Sequence, residues 1–101
     1  MADEEPLDEA QLQERIEEEL RKLKVQDILV QTSLTLASLG LRRLGEEDGD
    51  IEQGRLAIEA LRALLPVLRE TVPPEVARDL EQMIADMQFA YAEAVGRAAE
   101  S

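Results

Sequence analysis

The sequence predicts an all-α fold, on the strength of its composition and its spacing of apolar residues. The 101 residues include sixteen leucines but one Phe, one Tyr and no Trp, and leucine suits helices, whereas sheets favour β-branched and aromatic side chains. Apolar residues recur three and four positions apart, which is the helical period. A chain of this length is expected to form one domain. We therefore predict a small, oligomeric helical bundle with three main helices at about 25–44, 51–69 and 74–95 and an N-terminal amphipathic helix at about 8–24.

The acidity of the chain is concentrated at its N-terminus. Residues 1–20 hold nine of the 23 acidic side chains and one basic side chain. Residues 1–7 show no apolar periodicity, so we expect them to be disordered. A single helical domain is expected at 8–97, and the tail at 98–101, which is small and polar, is expected to fray.

The N-terminal helix begins with capping signals. Asp8 is predicted to be its N-cap, with Gln11 three positions later completing a capping box. Leu7 and Leu12 occupy the two positions of a hydrophobic staple. The helix then carries a narrow apolar stripe, formed by Leu12, Ile16, Leu20 and Leu23.

The most informative segment is a run of fourteen uncharged residues at 28–41, in a chain that is 34% charged. At helical spacing this segment has two apolar faces. One face comprises Val30, Leu34, Ala37 and Leu41, and the other comprises Val25, Leu29, Thr32, Leu36 and Leu39. A helix that is apolar on two sides must be covered on both, so it lies either at the centre of a bundle or at the seam of an oligomer.

The junction before this run has two interpretations. The N-terminal helix could continue through it, which would place the charge of Asp27 in an apolar stripe at a cost in energy. Alternatively the chain breaks near residues 24–27 and Asp27 caps a second helix. We favour the break.

The acidic segment at 45–50 is predicted to be a connecting loop. A calcium-loop interpretation fails, because Leu44 and Arg55 would occupy positions that require carboxylates. Asp50 is instead expected to cap the next helix, with Gln53 at the third position.

The next two helices carry their own signals. The helix after the loop has a second apolar row, formed by Leu56, Ala60, Ala63 and Val67, and Pro66 is expected to kink or end it near Leu65. Pro73 and Pro74 mark a turn and the start of the last helix. Phe89 lies on that helix about 180° from Leu80. The wide apolar stripe of the last helix comprises Val76, Leu80, Met83, Ile84, Met87, Tyr91, Ala94 and Val95.

The residues needed for common chemistry are missing from the sequence. There is no His and no Cys, so the usual zinc ligands and the Ser–His and Cys–His pairs cannot be formed. The glycines match no phosphate-binding loop. We expect no enzyme activity, no catalytic residues, no cofactor and no metal site. The hydroxyls of Thr32, Ser33, Thr35 and Ser38 are expected to form hydrogen bonds to backbone carbonyls of the preceding turn. The alternative interpretation is that they line a ligand pocket.

Composition and charge also indicate where the protein is located and which partners it contacts. The absence of Cys fits a reducing compartment, and the acidic N-terminus does not resemble a secretory signal. As a helix, residues 28–41 would span about 21 Å, short of the ~30 Å hydrocarbon core. Basic residues are not clustered as nucleic-acid binding requires. We expect a cytoplasmic protein that contacts neither membrane nor nucleic acid.

Several short motifs recur in an order that matches a known family. They are Leu41-x-x-Leu44-Gly45, Asp50-Ile51 leading to Arg55-x-Ala57-Ile58-Glu59-x-Leu61, then Leu80 and Gln88-x-x-Tyr91. By their order and spacing, residues 25–95 resemble the small bacterial family described as domain of unknown function 1844, from which Pro66 departs. The resemblance implies an all-helical cytoplasmic protein without an assigned activity and supplies no catalytic residue.

The leading functional hypothesis is a non-enzymatic protein–protein interaction module that forms a homodimer through the second face of the uncharged helix. The predicted interface residues are Leu29, Leu36, Leu39, Leu56, Val67 and Phe89. One alternative is a regulatory subunit that presents the Leu12–Leu23 stripe to a larger protein. Another is a peripheral membrane-surface protein, which the acidic polar face of the first helix disfavours.

Overall fold

The computed structural model describes residues 8–100, which form four helices. They are α1 (Glu9–Lys22), α2 (Val25–Arg43), α3 (Ile51–Thr71) and α4 (Pro74–Glu100). This part of the chain contains no strand, so the predicted all-α class is confirmed. The expected disorder at 1–7 and the staple that involves Leu7 lie outside the described residues.

Helix α1 has the predicted start but packs against none of the other three helices. The Asp8 carboxylate accepts a hydrogen bond from the Gln11 backbone N–H at 2.8 Å, and the Gln11 side chain accepts one from the Asp8 N–H at 3.2 Å. The longest dimension of the protein is 63 Å, whereas α4, the longest helix, accounts for roughly 40 Å at 1.5 Å per residue. Helix α1 therefore projects from one end of the α2–α4 body.

The chain breaks between α1 and α2, as favoured from the sequence, but the predicted cap is wrong. Leu23 and Lys24 are both extended, and Lys24 is the N-cap of α2 without a side-chain hydrogen bond. Asp27 already belongs to the helix, because its N–H donates to the Lys24 carbonyl at 3.0 Å. Its carboxylate in the first turn interacts favourably with the helix dipole.

Helices α2, α3 and α4 pack against one another around a common core. The buried apolar residues are Ala37, Leu44, Ala57, Ile58, Leu61, Leu68, Ala77, Leu80, Ile84, Met87 and Ala94. The α2 side of this core is made largely of small residues, Ser33, Ala37 and Gly40. Of the first face predicted for this helix only Ala37 is buried, while Leu34 and Leu41 are exposed. The buried side of α2 thus lies between the two apolar faces predicted from the sequence.

Glycines set the distance between α2 and α3. A Cβ added to Gly40 would lie 2.6 Å from Met87 Cε and 2.7 Å from Ala57 Cβ. A Cβ added to Gly54 would collide with the buried side chain of Leu44. The two helices are antiparallel, with Gly40 facing Ala57 and Leu44 facing Gly54.

The last two helices run further than expected. Helix α3 continues through Pro66 to Thr71, because Pro66 and Arg62 are exposed and the Arg62 carbonyl that loses its amide partner can reach solvent. Asp50 caps this helix as predicted, accepting from the Gln53 N–H at 3.3 Å.

Helix α4 begins at Pro74 as predicted but extends to Glu100 rather than ending near residue 95. Arg97 Nη2 donates to the Leu44 carbonyl at 2.8 Å. This bond ties the last turns of α4 to the C-terminal end of α2. The described part of the tail, 98–100, is accordingly helical.

Substituting Gly40 tests the close crossing of α2 and α3. Gly40→Ala should destabilise the protein, because overpacking costs about 1–3 kcal/mol and the Cβ of Ala57 has no rotamer with which to move aside. Gly96→Ala is the matched control, since nothing lies within 4 Å of an added Cβ there. The control should stabilise by up to about 1 kcal/mol through helix propensity. Urea unfolding of both variants measures the difference, and equal stabilisation by both would contradict the close crossing.

The hydrogen bond from Arg97 to Leu44 makes a second prediction. Arg97→Ala should cost about 1 kcal/mol, the net value of one hydrogen bond, and should speed amide hydrogen exchange in the last turn of α4. Arg78→Ala, an exposed arginine on the same helix, is the control and should leave that exchange unchanged. Equal exchange rates in the two variants would show that Arg97 does not secure the helix end.

Candidate functional site: an apolar face across α2 and α3

The side of the α2–α3 pair that α4 does not cover is apolar. It contains a shallow groove lined by Leu36, Leu39, Gly40, Arg43, Gln53, Leu56, Ala57 and Ala60, with no residue from α4. We call the surface formed by Leu29, Leu36 and Leu39 of α2 with Leu56, Ala60 and Val67 of α3 the α2/α3 face. Leu39, Leu56 and Val67 are each about half exposed. An exposed contiguous apolar surface of this kind is typical of a protein-binding site.

The packing of α2 against α3 produces this face. Because small residues of α2 point into the core, the leucines a third of a turn away lie along its edge. Leu56, where the exposed row of α3 begins, lies about 140° from the buried Leu61, at ~100° per residue. The antiparallel register seen at Gly40 and Ala57 brings Leu36 level with Ala60, and Leu29 level with Val67.

The structure places three of the six predicted interface residues, Leu36, Leu39 and Leu56, in one groove. Helical spacing puts Leu29 and Val67 on the same sides of α2 and α3. Leu29 and Leu36 are half-buried, and Leu36 also packs against the core. Phe89 is not part of this group. It is 68% exposed, on the side of α4 opposite to Leu80, and it does not line the groove, so its place in an interface stays a prediction.

Arg43 gives one end of the face a positive charge. Its half-buried side chain lines the groove, and among residues 8–100 it has no ion-pair partner. The neighbouring Arg42, by contrast, pairs with Asp48 at 2.6 Å. Arg43 is not among the interface residues predicted from the sequence. The sequence feature that could have indicated it is its position in the last turn of the uncharged helix.

A second apolar surface lies on α1. The side chains of Leu12, Ile16, Leu20 and Leu23, which we call the α1 stripe, are between 49% and 60% exposed. No residue of α1 is buried. Whatever covers the α1 stripe must therefore come from outside the α2–α4 body of the same chain, or the stripe stays in water.

Several polar side chains of the described residues form hydrogen bonds or ion pairs within their own helix. Residues 8–100 contain no group of three or more metal-binding side chains. Arg55 donates hydrogen bonds to Glu52 at 3.0 Å and to Glu59 at 2.8 Å, and its hydrogen bond to the Glu52 carboxylate raises the pKa of Arg55. Among the predicted hydroxyls, Ser33 donates to the Leu29 carbonyl at 2.8 Å and Thr35 to the Gln31 carbonyl at 3.0 Å. None of the four hydroxyls lines the groove.

Comparison with known proteins adds no assignment. No protein-family model matches the chain, and neither a curated protein nor a solved structure does. The resemblance to domain of unknown function 1844 therefore stays a prediction. None of the described helices combines the length and the apolar character that crossing a membrane requires. The cytoplasmic location also stays a prediction.

Proposed function

We propose that this protein is a non-enzymatic interaction module that self-associates as a homodimer through the α2/α3 face. The observation that supports the proposal is that face itself. It is a continuous apolar surface across two antiparallel helices, and no other helix of the described chain covers it. Exposing it to water is unfavourable at about 25 cal/mol for each Å² of apolar area.

The composition of the face favours a second copy as the partner. Its central part carries no charge, since α2 has none at 28–41 and the exposed α3 row consists of Leu, Ala and Val. Depletion of charge and a high apolar content are typical of homodimer interfaces. A twofold axis makes the contacts of the two subunits equivalent, so a contact that covers the α2/α3 face of one copy covers that of the other as well.

A second candidate function is the regulatory subunit predicted from the sequence. The observation that favours it is the α1 stripe, which is exposed and contacts nothing else in the described chain. A larger protein that covers the stripe would account for an amphipathic helix placed in this way.

Substituting Leu39 by Glu tests the homodimer. Leu39 is about half exposed, so a carboxylate there is solvated in the monomer but would be buried and unpaired at the interface, at a cost of several kcal/mol. Light scattering after gel filtration should give twice 11.3 kDa for the native chain at micromolar concentration. The Leu39→Glu variant should give the monomer mass.

Leu34→Glu is the matched control. Leu34 is also an exposed leucine of α2, about 140° around the helix from Leu39 at ~100° per residue, so this variant should remain dimeric. Leu36 is less informative, because it packs against the core and its substitution would disturb folding. A native chain that is monomeric in this measurement would defeat the proposal.

A further inference from the structure

We propose that the two copies exchange their N-terminal helices, so that α1 of each subunit lies along the α2/α3 face of the other. This inference rests on the proposed homodimer and identifies what fills its apolar face. The α1 stripe and the α2/α3 face are two apolar surfaces that the described chain leaves uncovered, and each supplies what the other lacks.

The position of α1 directs it toward a second molecule. It is joined to α2 only by Leu23 and Lys24, both extended, and it projects past the beginning of α2 without touching the body of its own chain. A twofold axis that lies near this projecting end and perpendicular to α2 gives the second body the opposite helix direction. In the proposed dimer, helix α1 runs antiparallel to α2 of the partner.

The lengths of the two surfaces agree. The α1 stripe runs from Leu12 to Leu23 and the α3 row from Leu56 to Val67, so each has twelve residues, with eleven residue steps between its ends. Each is about 16–17 Å long at 1.5 Å per residue. The exposed edge of α2 from Ile28 to Leu39 has the same length.

Charge selects the same register as the apolar side chains. When the antiparallel α1 helix places Leu12 beside the partner's Leu39, its other end places Leu23 beside the partner's Ile28. That register also brings Asp8 and Glu9, the acidic start of α1, to the partner's Arg43. Arg15, Arg43, Arg62 and Arg78 are without an ion-pair partner among residues 8–100, and of these four only Arg43 is half-buried and lines the groove. The antiparallel arrangement also aligns the two helix dipoles favourably.

The first experiment changes α1 alone. Ile16→Glu should raise the dimer dissociation constant at least about tenfold, since each 1.4 kcal/mol is a factor of ten and the exchange places two such carboxylates in the interface. Ala10→Glu adds the same charge on the opposite side of α1 and should change the constant less than about twofold. Neither residue touches the α2–α4 body, so circular dichroism should show both variants folded.

The second experiment locates the contact by disulfide formation. The chain has no cysteine, so a tagged copy carrying Leu12→Cys can be mixed with an untagged copy carrying Leu39→Cys and oxidised. A cross-linked product of the combined mass is expected, because the proposed register sets these positions side by side. An untagged copy carrying Leu34→Cys in place of Leu39→Cys should give little of this product.

The outcomes separate this inference from the proposed function. If Leu39→Glu dissociates the dimer while Ile16→Glu leaves its dissociation constant unchanged, the dimer stands and helix exchange is refuted. Equal cross-linking from Leu39→Cys and Leu34→Cys would also refute the exchange. A native chain that is monomeric would overturn the homodimer itself. The exchange is supported if Ile16→Glu weakens the dimer and the cross-link depends on position 39.

Discussion

The close contact between α2 and α3 is the constraint on which the rest of the structure depends. Gly40 and Gly54 bring the two backbones so near that an added Cβ would overlap Ala57 or Leu44. Such a contact uses the small side of α2, and helical geometry then fixes where its large side chains lie. With a larger distance between α2 and α3 the leucines of α2 could be buried between them. In this structure they lie at the edges of the α2–α3 contact. The apolar face thus follows from the packing of the core.

Local signals in the sequence predicted the helix class and most helix starts. Asp8 and Asp50 cap their helices through hydrogen bonds to the residue three positions on, which is a short-range property of the chain. The break before α2 was also anticipated, but Asp27 was assigned the cap in place of Lys24. A strong capping residue in the first turn is stabilising through the dipole as well, so its identity alone cannot distinguish the two positions.

The features that the sequence did not predict, the C-terminal end of α4 and the buried side of α2, depend on contacts between residues far apart in the chain. The hydrogen bond that extends α4 joins Arg97 to Leu44, residues far apart in the chain, and no local pattern indicates it. The buried side of α2 was missed because large apolar residues were expected inside. The signal was present in Ser33, Ala37 and Gly40, which recur at helical spacing as a row of small residues. Three interface candidates, Leu36, Leu39 and Leu56, nevertheless line one groove, since helical periodicity fixes which side each occupies.

The stability of α1 connects the two uncovered surfaces. A helix of fourteen residues is marginal in water on its own, and the capping box contributes only about 1 kcal/mol. Most helix stability in proteins comes from burying an apolar side, which α1 does not do within its own chain. Its stripe therefore gains stability wherever an apolar surface of matching length covers it. The α2/α3 face is such a surface, so helix formation in α1 and covering of that face are coupled in one association step.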